Sequence, residues 1–186
     1  MINGRKWFAF FSHTGTEILN LSKDLGIVPD YIVTNNAPGN KNINKELLKL
    51  STQFSYTSEK PKVADYDRLL IGCNECICTL HGWMRIIPKS ICKEYEMYNL
   101  HPGLIDSFPE LKGKDPQARV CSEIHDKIGL VIHRVTPGVD EGEVLLSASC
   151  KNHYYSVESV TRALHKMARQ SWVDFFNHYV LSNEDD

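Results

Sequence analysis

No apolar run near the start of this 186-residue chain is long enough for a signal peptide or a membrane span. Met1–Lys6 leads into only five apolar residues, Trp7–Phe11. An excess of one charge is missing too: 21 Lys and Arg stand against 23 Asp and Glu, a net charge of −2, so composition gives no reason to expect a nucleic-acid partner. Internal repeats, low-complexity tracts and linker-like stretches are also lacking. What is present is an ordinary globular balance, 42% hydrophobic and 24% charged. The length suits a single domain, 1–186, with a sizeable core. The expectation is a cytoplasmic protein with no membrane partner.

Six cysteines are present, Cys73, Cys76, Cys78, Cys92, Cys121 and Cys150, and in the cytosol they are expected as thiols, metal ligands or core residues rather than disulfides. Cys73, Cys76, Cys78 and His81 have the spacing Cys-x2-Cys-x-Cys-x2-His, a composition able to hold zinc. Structural zinc sites usually draw ligand pairs from two separated knuckles, and no second pair is evident. Small buried thiols at a strand end are therefore the favoured expectation, and no metal is required.

Apolar runs alternate with helix-like segments. Trp7–Phe11, Tyr31–Thr34, Phe54–Tyr56, Arg68–Cys73, Met97–His101, Ile128–Val135 and Val144–Cys150 read as strands. Helices are expected after the Ser12–Thr16 turn, over Lys45–Leu50 behind an Asn44 cap, from Pro88 to Glu96, from Asp115-Pro116 to about Asp126, and after a Ser156 cap. The acidic end Ser182–Asp186 reads as frayed. The order predicts an α/β fold, Rossmann-like, with a mostly parallel twisted sheet flanked by helices.

Two motifs carry chemistry. Asn99-Leu100-His101-Pro102 ends one strand at a turn, and Asp140-Glu141-Gly142 lies in the loop after Ile128–Val135. Asn99, His101 and Asp140 therefore stand where two strands end. An amide donor, a titratable ring and a carboxylate together can polarise a carbonyl, stabilise its oxyanion and move a proton. Plainer readings stand beside this: strand-end hydrogen bonding for Asn99 and His101, an Asx-turn for Asp140, structural support for the mid-strand His133. The Ser12–Glu17 turn, with Gly15 before a helix, is either an anion cradle or an ordinary turn capped by Thr14 or Thr16. The run Leu111–Gln117 is either a nucleotide or phosphate contact or a solvated loop.

These segments resemble the folate-dependent formyltransferases, specifically the phosphoribosylglycinamide formyltransferase group. The second motif keeps that family's spacing through Gly129, His133, Val135, Asp140 and Gly142, and Gly82–Pro88 is similar to its folate-side segment. Phe11–Glu17 is placed like its phosphate-binding loop. Four matches in the family's order make a joint signal that none makes alone.

The resemblance implies transfer of a formyl group from 10-formyltetrahydrofolate to the amine of a small, phosphorylated or nucleotide-linked acceptor. It implies Asn99, His101 and Asp140 as catalytic residues, with Asn99 and a protonated His101 donating to the oxyanion. Met84, Arg85, Ile86, Ile87, Val139, Asp140 and Glu143 would contact folate, and Thr14, Gly15 and Thr16 the substrate phosphate. A monomer or homodimer is expected. Glu17 departs from the family pattern and opposes a phosphate unless its carboxylate turns away. An ungapped alignment of the last helix puts Ala168 and His165 where the group's acceptor-holding glutamate and glutamine stand. The alternatives are a formyltetrahydrofolate hydrolase, which usually carries an extra regulatory domain, and a non-catalytic nucleotide- or zinc-binding module.

Overall fold

In a computed structural model, which describes residues 2–73, 75–122, 125–153 and 156–182, seven strands form one sheet. They are β1 (Lys6–Phe11), β2 (Tyr31–Thr34), β3 (Gln53–Tyr56), β4 (Cys76–His81), β5 (Glu96–His101), β6 (Lys127–Arg134) and β7 (Val144–Lys151). Their order is β3-β2-β1-β4-β5-β6-β7. The first five pair in parallel; β5–β6 and β6–β7 are antiparallel. The expected Rossmann-like, mostly parallel sheet is present. Among the described residues, five α-helices accompany it: α1 (Thr16–Leu25), α2 (Val63–Leu70), α3 (Lys89–Glu94), α4 (Pro116–Ser122) and α5 (Val157–Phe175). None of the described helices is long and apolar enough to cross a membrane.

β1 is buried on both faces because it is apolar at every position from Trp7 to Phe11. On one face Trp7, Ala9 and Phe11 pack with Ile18 and Leu21 of α1 and Trp172 and Phe175 of α5. On the other, Phe8 and Phe10 pack with Tyr66, Leu70, Ile91 and Trp83. The chain leaves β1 toward the first face and β4 toward the second. The carboxyl ends of these adjacent strands therefore flank the point where the topology reverses, the usual ligand crevice of such sheets.

Several expectations are corrected. Arg68–Cys73 is not a strand: Val63–Leu70 is helix α2, with Tyr66 and Leu70 buried at the i, i+4 spacing of one helical face. The stretch Cys76–His81, which is not among the expected strands, is β4 itself, paired with β1 along its whole length. Strand alternation puts Cys76 and Cys78 on one face and His81 on the other, roughly 16 Å along the strand from Cys76 at 3.3 Å per residue. Cys73, Cys76, Cys78 and His81 thus cannot share one zinc ion, and no metal-holding group of His, Cys, Asp or Glu occurs among the described residues. The three thiols instead pack in the second core cluster. The Lys45–Leu50 helix is a single 3-10 turn, Leu47–Lys49, although Asn44 Oδ1 does accept from the Glu46 N–H at 3.0 Å. The helix expected to reach Asp126 is α4 over Pro116–Ser122, and His125 and Asp126 are not helical; residues 123 and 124 lie outside the described residues. Residues 183–186 of the expected frayed end lie outside the described residues.

Candidate active site

The motif residues meet at the carboxyl end of β5. Asn99 and His101 lie two residues apart on that strand, so their side chains leave it on the same face. Antiparallel pairing sets Asn99 opposite His133 on β6. A register shift between Ile132 and His133 in the β6–β7 ladder falls at this point, and such bulges re-aim side chains. Beyond β6 the chain turns back through Asp140, whose φ of 54° is left-handed, a region Asp tolerates better than most residues. Gly142 then passes so close to β6 that a Cβ there would lie 1.7 Å from the Arg134 carbonyl oxygen, which explains the glycine of the motif.

Asp140 joins the parts. Its Oδ2 lies 3.2 Å from His101 Nδ1 and accepts from the Gly113 N–H at 2.9 Å, while Oδ1 lies 3.4 Å from His133 Nε2. Burial alone would raise its pKa. Hydrogen bonds from His101 and His133, the charge of His101 and the Gly113 N–H outweigh burial and hold the carboxyl well below the usual carboxylate range. Asp140 is therefore a fixed negative charge and not a proton acceptor at neutral pH. His101 is buried, and its Nε2 donates to the Leu111 carbonyl at 2.8 Å. Both its ring nitrogens face oxygen atoms, so both contacts form only when each nitrogen carries a proton. Asn99 Nδ2 lies 3.2 Å from His133 Nε2, and His133 Nδ1 donates to the Arg134 carbonyl at 3.0 Å. Asn99 and Asp140 are half-buried, whereas His101 and His133 are buried.

Of the expected folate contacts, Met84, Ile86 and Val139 are large apolar side chains left 54%, 75% and 53% exposed. Ile87 is buried in the core and has only its backbone to offer. Arg85 is turned away, its Nε donating to the Glu59 carbonyl at 2.7 Å. Glu143 is exposed, and its carbonyl accepts from the Arg134 N–H at 2.9 Å.

At the start of α1, Gly15 is left-handed with φ 70°, and Thr14 Oγ1 accepts from the Thr16 N–H at 3.2 Å. The Glu17 carboxylate is turned onto His81 Nδ1 at 3.0 Å. His81 is fully buried, its Nε2 2.8 Å from Thr79 Oγ1, which also accepts from Trp7 Nε1 at 2.8 Å. The ring packs on Trp172 with centroids 4.6 Å apart. Ala168 is buried on the inner side of α5 and His165 is exposed.

Three features of the site have contacts that the sequence does not reveal. His133 was legible as a motif residue, but its contacts to both Asn99 and Asp140 depend on strand pairing. The Glu17–His81 pair was signalled only by the odd carboxylate. The loop Leu111–Gln117 reads as a solvated or phosphate-binding run, yet its backbone grips His101 and Asp140.

A sequence model described as formyl transferase matches residues 32–175. Phosphoribosylglycinamide formyltransferase of Dictyostelium discoideum is 30% identical over 110 residues, 53% of this chain and 52% of that protein, so the match spans about half of the relative's length. The fold is similar to a crystal structure of phosphoribosylglycinamide formyltransferase from Anaplasma phagocytophilum, with a TM-score of 0.78, 19% identity and coverage of 91% of this chain and 84% of that one. It is also similar to a formyltetrahydrofolate deformylase from Pseudomonas putida KT2440, with a TM-score of 0.73, 15% identity and coverage of 94% and 65%.

Proposed function

Given that this chain belongs to the formyl transferase family, we propose that it transfers a formyl group from 10-formyltetrahydrofolate to the amine of a small phosphorylated or nucleotide-linked acceptor. The observation that carries the reading is the convergence of Asn99, His101, His133 and Asp140 on one strand-end cluster. A module that only binds a nucleotide needs none of these groups.

The formyl donor supplies an activated carbonyl. Its ring would lie against the exposed Met84, Ile86 and Val139. Asn99 donates from its amide to the carbonyl oxygen as negative charge develops there. His101, held between Asp140 and the Leu111 carbonyl, places positive charge beside that oxygen. The role of second donor requires Leu111 O to give way to it. Asp140 holds His101 in orientation and takes no proton itself. The amine attacks the formyl carbon, the bond to the folate nitrogen breaks, and the amine proton passes to that nitrogen through water. The acceptor's phosphate would meet the Thr14–Thr16 turn. His81 supports this by drawing the Glu17 carboxylate aside.

The test is a formyl-folate turnover assay across a panel of phosphorylated amines with a no-amine control. Amine-dependent turnover supports transfer. Equal turnover without amine makes the protein a hydrolase. Phosphoribosylglycinamide is expected to be a poor acceptor, since Ala168 offers no carboxylate, at roughly 1–3 kcal/mol per missing contact. A specificity constant matching the best amine in the panel would reverse that assignment.

A further inference from the structure

One guanidinium organises the loop that grips the cluster. Arg119 on α4 donates from Nη1 to the Glu110 carbonyl, and the two N–H groups of Nη2 are shared among the carbonyls of Leu111, Lys112 and Lys114 at 3.0, 2.8 and 2.8 Å. The same short loop makes two contacts with the site. The Leu111 carbonyl accepts from His101 Nε2 at 2.8 Å, and the Gly113 N–H donates to Asp140 Oδ2 at 2.9 Å. His101 is thus held on one side by Leu111 and on the other by Asp140, which Gly113 holds in turn.

Four carbonyl oxygens turned toward one point repel each other unless a cation with several N–H groups sits among them. Arginine's flat fork suits this; the lysine ammonium is a single charged point with three donors. The packing leaves little slack. A Cβ at Gly103 would lie 3.1 Å from Pro116 Cβ and 3.2 Å from both His101 Nε2 and Leu111 Cβ. The loop, the α4 start and the His101 ring therefore close around Gly103.

Resting on the formyl-transfer reading above, we infer that Arg119 is a positioning residue: through the 110–114 loop it sets the orientation of both His101 and Asp140. It touches neither donor nor acceptor. Its loss lowers kcat while leaving folate affinity in place, because Met84, Ile86 and Val139 lie outside the loop.

The test compares wild type, Arg119→Lys and Arg119→Gln in the full chain, labelled with 15N. Hydrogen exchange is read at the Gly113 amide and the His101 Nε2–H, together with exchange across β1 and β4 as a measure of global stability. Both variants are expected to exchange at Gly113 and His101 at least about tenfold faster while β1 and β4 hold near wild-type rates. With the amine that supports wild-type turnover, kcat falls about tenfold or more and the KM for 10-formyltetrahydrofolate stays within about twofold. Unchanged exchange at both positions overturns the inference. So does full rescue by lysine, which would leave only a charge effect, and so does equal acceleration in β1 and β4. If neither Arg119 variant folds, Gly103→Ala decides, because it wedges the loop from the His101 side with Arg119 intact. Wild-type exchange there overturns the inference; selective acceleration supports it. A wild type inactive with every amine sinks the functional reading, while exchange still settles the clamp.

Discussion

Two histidine–carboxylate pairs stand at the carboxyl edge of the same sheet, and they differ in what they leave open. In His101–Asp140, at 3.2 Å, the side chains are 5% and 13% exposed, and the carboxylate also takes His133 and the Gly113 N–H. In His81–Glu17, at 3.0 Å, the ring is fully buried but the acid stays 32% exposed. The first carboxylate draws on β5, β6 and a loop and is fully committed, so it acts as a fixed charge. The second is tied on one side to a relay ending at Trp7 and open on the other. The first pair is suited to hold a reacting ring, the second to steer a carboxylate relative to a turn.

The largest expected effect falls on the first pair. Asn99→Ala, His101→Ala and Asp140→Ala are each expected to lower turnover about a hundredfold or more in protein that remains folded by circular dichroism. His81→Ala should do the reverse. It removes a fully buried ring packed against Trp172 and is expected to cost about 2–4 kcal/mol in urea unfolding, with turnover of the folded fraction kept within about tenfold. Lost turnover without lost stability would place His81 in the chemistry and erase the contrast between the pairs.

Acid separates the pairs further. The folded pKa of Asp140 is depressed, so its stabilisation is complete above the unfolded value of about 3.9 and is lost as pH falls toward the folded value. Asp140→Asn lacks that increment. The stability gap between wild type and this variant should therefore shrink steadily below about pH 4 in urea titrations. A gap constant with pH would mean that Asp140 is not held as the geometry implies. The smallest effect concerns Glu17. Glu17→Gln still accepts from His81 but removes a negative charge beside the Thr14–Thr16 turn, so inorganic phosphate should bind a few-fold more tightly by calorimetry. Unchanged binding would separate the turn from anion recognition.

Much of this was legible in the sequence. β1, β2, β5, β6 and β7 read correctly because apolar runs of four to eight residues ended at turn residues, as at Pro102-Gly103 and Pro137-Gly138. The Asn99, His101 and Asp140 grouping followed from motif spacing. β4 was missed because three cysteines and a histidine look like ligands, whereas in place the thiols are core residues, Cys76 and Cys78 on a central strand and Cys73 just before it. The Leu69-Leu70-Ile71 run read as strand because a short apolar stretch does not reveal its period. Arg119 was invisible because its partners are backbone carbonyls, which no residue type advertises. His81 and Glu17, 64 residues apart, meet only because β4 pairs beside β1.

The most direct test of the central claim follows the label from 10-formyltetrahydrofolate carrying a 13C-formyl group. Wild type and Asn99→Ala are mixed with it, with and without the panel's best amine, and 13C NMR records where the carbon goes. The account predicts that in wild type the label enters an N-formyl amide only when the amine is present, with tetrahydrofolate formed in equal amount. Asn99→Ala should form that amide about a hundredfold more slowly. Label released as formate at the same rate with or without amine, or an undiminished rate in Asn99→Ala, would contradict it.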